Sequence, residues 1–295
     1  MDIPLRRKNI KTKPWSWAME EPDTVNFLST GLFECFGELE HKVWIMHGVP
    51  IYCLHIEMFE RKNALLTTWS MAKECDHAVC WSKQSAEYWR TLVPNVEYVE
   101  RGVDLDFWKP EGDKFERRFH PQVTMLEIGR IIKLPFTYLF ALKYARERKS
   151  MRNLRANVGC IDVKFQLLWF SILTKLDLEP YVQDFIIGVH PEPWKYFRSS
   201  DMVVSPVQGG LMSRVAVEAL ACGSPVIMLE GCKEKKATVK CMDDPLSMAD
   251  AMEKVWGMME NNPEGTRKKA RRLAEKHYDV KDTAHKFLKI AEKLV

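Results

Sequence analysis

No run of eighteen apolar residues occurs anywhere in this 295-residue sequence, so no segment of it is expected to span a membrane as a helix. Met1 to Lys13 is polar and basic with no apolar stretch behind it, and a secretory leader is therefore not expected. The eight cysteines are scattered, and pairs such as Cys75 with Cys80 or Cys232 with Cys241 lack the spacing of paired metal ligands. Reduced thiols in a cytoplasmic protein are the expectation, and a zinc site is not. Internal repeats and low-complexity tracts are also missing, which excludes solenoid and fibrous architectures.

What is present is ordinary for a globular chain. Hydrophobic residues make up 46% and charged residues 28%, enough for two modest domains or one large one. The formal net charge is +4, a mild preference for anionic partners. The charge is clustered at Arg6, Arg7, Lys8, Lys11 and Lys13, from Lys143 to Arg155, and at Arg267, Lys268, Lys269, Arg271 and Arg272. Solvated helix faces are one reading of these clusters, favoured for the last. A phosphate-rich partner, either nucleic acid or an anionic membrane surface, is the other.

From Val123 onward, short apolar runs alternate with longer amphipathic segments. Strands are expected at Val123 to Gly129, around Val158, at Phe185 to Gly188, at Met202 to Val207, at Pro225 to Leu229 and at Ala237 to Cys241. Helices are expected at Pro135 to Arg148, Phe165 to Leu176, Trp194 to Ser199 and Arg214 to Ala221. This alternation implies a parallel sheet covered by helices, with ligands at the carboxyl ends of the strands. The first hundred residues are a thinner version of the same pattern. Strands are expected at Lys42 to Gly48, His77 to Ser82 and Val96 to Asp104, with a helix over Ser85 to Thr91. Pro110 and Gly112 place a linker near Phe107 to Gly112. The tail from Lys281 to Leu294 sets Ala284, Phe287, Leu288 and Ala291 along one helical face.

The stretch Ser205 to Gly231, SPVQGGLMSRVAVEALACGSPVIMLEG, carries the most chemistry. A strand ends, Gly209 and Gly210 follow, Ser213 can cap a helix, and Gly223 can end it. Backbone N–H groups of Leu211, Met212, Ser213 and Arg214 would then sit at a strand's carboxyl end, where a diphosphate fits. The glycine pair either lets a ligand approach the backbone or only makes the turn. Glu218 lies in an apolar helix and needs a partner there. That partner is either Arg214, one helical turn earlier, or the hydroxyls of a ligand.

EALACGSPVI closely resembles the EAMACGTPVI segment of family-4-type retaining glycosyltransferases with the GT-B fold. Other matches follow in that family's order: CDHAVCWSKQSAEYW, VEYVERGVDLDFWKP, MLEIGRIIK and YFRSSDMVVSPV. The resemblance covers residues 42 to 231. It implies an α/β protein of the GT-B type, with two Rossmann-like domains facing a cleft and a C-terminal helix crossing back to the first domain. The expected domains are 1–108 on the acceptor side, 109–278 for the nucleotide sugar, and a crossover helix at 279–295.

By the same resemblance, Glu218 meets the nucleotide's ribose hydroxyls. Arg130 neutralises the donor diphosphate, a task that suits a guanidinium's bidentate geometry. His47 reaches towards the transferred sugar, and Val189 and His190 meet the nucleobase. Gly209, Gly210, Leu211, Met212 and Ser213 would line the donor site, with Lys133 as a further diphosphate partner. The implied reaction is a retaining transfer from a nucleoside-diphosphate sugar, expected to be of the UDP type, with neither a metal nor another cofactor. Asp243 and Asp244 fall too late in the fold for a metal pair and are expected to cap a helix.

Three departures from the family pattern stand out. Gly210 occupies the position of the first glutamate of the family's E-x7-E motif. Lys133 lies three residues beyond Arg130 instead of five. The first domain is short and lacks the usual opening strand with its glycine-rich turn. The acceptor is left open, a modified base of nucleic acid among the candidates, and so is a non-catalytic binding protein of the same fold.

Overall fold

The computed structural model describes residues 26–29, 42–46, 72–116, 120–126, 135–160, 166–187, 190–207, 212–231 and 235–294. The chain divides into two compact units, residues 1–101 with 281–295, and residues 102–280.

The first unit holds a four-stranded parallel sheet. Its strands are β1 (Asn26–Ser29), β2 (Lys42–Met46), β3 (His77–Cys80) and β4 (Val96–Tyr98), in the order β1-β2-β3-β4. β3 is buried on both faces, and so are Val43 and Trp44 of β2, as expected of a parallel sheet. Trp44, Ala78 and Cys80 pack on one side with Ala86 and Trp89 of helix α1 (Lys83–Trp89). Val43 and Val79 point the other way, following the two-residue period of a strand. Ser82 caps α1, its hydroxyl accepting from the Ser85 N–H at 3.0 Å. Burial holds the pKa of His77 below the ordinary value, against the pull of Glu97 3.6 Å away.

The second unit is built on six parallel strands: β5 (Gln122–Met125), β6 (Arg155–Cys160), β7 (Val182–Ile187), β8 (Met202–Ser205), β9 (Val226–Leu229) and β10 (Val239–Cys241). Their spatial order is β10-β9-β8-β5-β6-β7. Numbered within the unit, this is the doubly wound order 3-2-1-4-5-6, whose direction of winding reverses between β5 and β8.

Helices α2 (Pro135–Glu147), α3 (Gln166–Lys175) and α6 (Pro245–Asn261) cover one face of the sheet, around Val123, Met125, Met202, Val204 and Ile227. Helices α4 (Pro193–Ser199), α5 (Arg214–Ala221) and α7 (Pro263–His277) cover the other, around Val203, Val226 and Met228. Asp244 caps α6 by accepting from the Ser247 N–H at 2.8 Å. Helix α8 (Val280–Leu294) returns to the first unit, where Phe287, Ile290 and Leu294 pack with Val43, Val79 and Val99.

Several boundaries differ from those that periodicity implies. β4 ends at Tyr98, and Val103 instead pairs with Asp279. β7 starts at Val182, three residues before the first apolar pair that marks it. Phe107 to Gly112, expected as a linker, belongs to the second unit. Trp108 is buried there against Phe197 and Trp194. Two arginines gather the carbonyls of this stretch: Arg198 takes those of Lys109 and Asp113, and Arg271 those of Leu105 and Trp108. Backbone carbonyls satisfied in this way can be buried as safely as those of a strand.

Candidate functional site

The winding reverses between β5 and β8, and the carboxyl ends of the strands at such a reversal are where doubly wound sheets bind ligands. β8 ends at Ser205 and α5 begins at Arg214, so the connection between them leaves from this point. Ser213 caps α5 as its sequence position implies. Its hydroxyl accepts from the Val215 N–H at 3.1 Å, and its carbonyl accepts from Ala216 and Val217. Arg214 is the first-turn residue whose N–H neither bond engages. An N-terminus of this kind carries a partial positive charge that favours an anionic oxygen.

The other end of α5 is closed by a full left-handed cap. Gly223 has φ +78°, its N–H donates to the Leu220 carbonyl, and the Ser224 N–H donates to that of Ala219. This double bond pattern is the Schellman motif. Arg271 donates to the Ala221 carbonyl at 2.7 Å, so a terminal acceptor of the helix is satisfied from α7.

Glu218 is buried on α5 and accepts from Arg214 Nε at 2.6 Å. Of the two partners open to it, the intrahelical one is therefore made. Arg214 is 61% exposed on its side chain, so the pair joins a buried carboxylate to a guanidinium at the surface. Met212 is buried in the core beneath the same helix. The Cys222 thiol, which follows α5, is pushed up to about 12 by burial. It is no candidate for a thiolate nucleophile at neutral pH.

Ser205 gave no sign in the sequence. Its hydroxyl is buried and has no hydrogen-bond partner among the described residues. It shares a sheet face with Val203, two residues earlier, and that is the face α5 covers. A buried hydroxyl left unpaired costs roughly 1–3 kcal/mol, a cost that a ligand oxygen would remove.

His190 stands apart from this group, beyond the end of β7 at the sheet's edge. Its Nδ1 accepts from the Glu192 N–H at 3.0 Å, and its ring meets Tyr196 edge-on at 5.0 Å. The ring's orientation is thereby fixed. His47, Arg130, Lys133, Val189, Gly209, Gly210 and Leu211 lie outside the described residues. In sequence, Arg130 and Lys133 follow the end of β5, and Gly209 to Leu211 follow that of β8.

No protein-family description matches the chain, and no curated protein matches it by sequence. Solved structures do. Sucrose-phosphate synthase from Thermosynechococcus elongatus superposes with a TM-score of 0.67 at 16% identity, over 87% of this chain and 68% of that one. The trehalose-6-phosphate synthase OtsA gives 0.71 at 12% identity, over 93% and 73%. This chain has the GT-B fold. The same architecture extends to HepE from Anabaena, solved in complex with UDP and glucose, with a TM-score of 0.64 at 16% identity over 84% and 70%. Within the described residues, no helix of the GT-B chain is long and apolar enough to cross a membrane.

Proposed function

We propose that this protein is a glycosyltransferase that takes its sugar from a nucleoside-diphosphate donor, UDP being the carrier. The observation that carries the reading is the reversal of winding between β5 and β8, with the capped start of α5 following β8. The GT-B likeness supports it, and HepE, with UDP in its own structure, supports the choice of nucleotide. The donor diphosphate lies against the N-terminus of α5, and the Ser205 hydroxyl gains its missing partner from the donor. Glu218 accepts hydrogen bonds from the ribose hydroxyls while keeping Arg214. Arg130, following β5, takes the charge that develops on the departing diphosphate, and Lys133 adds to it. His47 positions the transferred sugar, and Val189 and His190 meet the base. The transfer retains the anomeric configuration and runs without a metal.

Electrostatic stabilisation of a leaving group by prepositioned donors is usually the largest catalytic contribution. Arg130→Ala is expected to lower kcat by about 10²–10³-fold with an unchanged melting temperature. The measurement is transfer or hydrolysis of radiolabelled UDP-sugars, alongside a thermal-shift panel of nucleotide sugars. A ligand at 100 times its Kd stabilises by about 2.7 kcal/mol. If no nucleotide sugar shifts the melting temperature, the donor assignment is wrong. Full turnover in a folded Arg130→Ala variant removes that residue's role.

A further inference from the structure

We infer that the outer face of α2 and α3 docks on an anionic lipid membrane. These helices bury Tyr138, Leu139, Leu142, Trp169 and Leu173 against the sheet. They also carry large apolar side chains on the opposite side. On α2, Phe136, Phe140 and Tyr144 recur every fourth residue and are all exposed, which makes one stripe along the helix. On α3, Leu167, Leu168 and Phe170 are exposed, Leu167 to 75%. The rings of Phe136 and Trp169 meet at 5.2 Å, so the two stripes are neighbours. A helix packed on one face of a sheet needs one apolar side, and these have two.

The charge beside the patch is mainly cationic and segregated, although the exposed carboxylates Glu147 and Asp177 stand among it. From residue 143 to residue 155 the chain has six cations and one carboxylate, Glu147. Arg148 bonds to Asp250 and Glu253, while Lys149 and Arg152 are exposed just beyond the end of α2. Lys175 is exposed in the last turn of α3. Each helix follows one of two adjacent parallel strands, β5 and β6. They therefore run the same way, and their basic ends share one edge of the unit. The surface is apolar for most of its length and cationic along that edge.

This distribution decides among partners. A second copy of the chain would present the same face, in which cations outnumber carboxylates, and so would offer that edge little anionic surface. Single-stranded nucleic acid needs cations tracking the backbone between stacking rings, yet here the most exposed side chain is an aliphatic leucine and the charge lies at one end. A lipid surface suits both halves: apolar side chains enter the boundary of the acyl chains, and Lys and Arg meet the headgroup phosphates.

The test is co-sedimentation of the full chain with vesicles of phosphatidylcholine alone, or with about one-third phosphatidylglycerol, across a salt series. Binding to the anionic vesicles at low salt, weakening as salt rises, is expected. Changing Lys149, Arg152 and Lys175 together to Gln should reduce partitioning on the order of 100-fold, at roughly fivefold per cation near such a surface. Changing Leu167, Leu168 and Phe170 together to Ser should reduce it at least tenfold. The cation variant alters only exposed side chains and keeps the test sharp if the apolar one folds poorly. Absence of binding to anionic vesicles at low salt overturns the inference. So does binding that neither variant weakens. Loss of DNA binding in the same variants, without vesicle binding, would assign the face to nucleic acid, and a wild-type dimer that they dissociate would assign it to self-association. Sedimentation needs no sugar transfer, so this outcome is independent of the donor reading.

Discussion

At the scale of single residues, Glu218 has both a structural and a functional claim on it, and the two are separable. Arg214 pairs with it at 2.6 Å but is largely exposed, so solvent screens the pair and its worth is below about 1 kcal/mol. Arg214→Ala is therefore expected to leave UDP affinity within about twofold, with a small loss of stability. Glu218→Gln should weaken UDP binding at least tenfold, since hydrogen bonds to a charged acceptor contribute about 1.5–3 kcal/mol. Calorimetry on both variants distinguishes the roles: equal affinities would make Glu218 a partner of Arg214 and nothing more. The sequence placed Glu218 in an apolar helix but left both partners open. Which one it holds depends on rotamers that no periodicity records. Ser205 was invisible for a related reason, because an unpaired hydroxyl is defined by its neighbours and not by its own identity.

At the scale of elements, α5 is the helix whose ends were most legible. Ser213 and Gly223 act through local backbone geometry, which a sequence shows directly. Gly223→Ala must hold φ near +78° and bring a Cβ to 3.3 Å from Pro110 Cγ. It should cost about 1–2 kcal/mol, the penalty of a left-handed conformation for a residue with a Cβ. Gly257 is the contrasting case, inside α6 with open space where a Cβ would go. Gly257→Ala should stabilise by about 0.5–1 kcal/mol. Urea unfolding of the two variants measures both, and a destabilised Gly257→Ala would contradict the packing around α6. Phe107 to Gly112 reads as a linker because Pro110 and Gly112 interrupt its pattern. Arg198 and Arg271 bind carbonyls from Leu105 to Asp113 across separations of 85 to 166 residues, beyond the reach of any local window.

At the scale of the whole molecule, the chain passes between its two units at residues 101–102 and again at 280–281. Both passages meet at a backbone bridge. The Val103 N–H donates to the Tyr278 carbonyl at 2.9 Å, and the Val280 N–H to that of Val103 at 3.1 Å. Gly102 allows this approach, since a Cβ there would lie 2.5 Å from the backbone of Asp279 and Val280. Gly102→Ala should destabilise by about 1–3 kcal/mol, as overpacking does elsewhere, and lower the melting temperature by several degrees. Calorimetry checks this, and an unchanged melting temperature would mean that the two passages are free to separate.

The sequence by itself determined the alternation of strands and helices from Val123 to Cys241 and the caps of α5, because each depends on residues within a turn or two of one another. Strand order was decided elsewhere. A short apolar run such as Val203–Val204 looks the same at the centre of a sheet as at its edge, and periodicity cannot say that β8 pairs with β5. That pairing places the reversal of winding, and with it the candidate site, between segments nearly eighty residues apart in the chain. The outward stripe on α2 and α3 belongs to the tertiary structure too. Phe136 and Tyr138 are both aromatic, and only the sheet beneath them determined that the second is buried and the first is not.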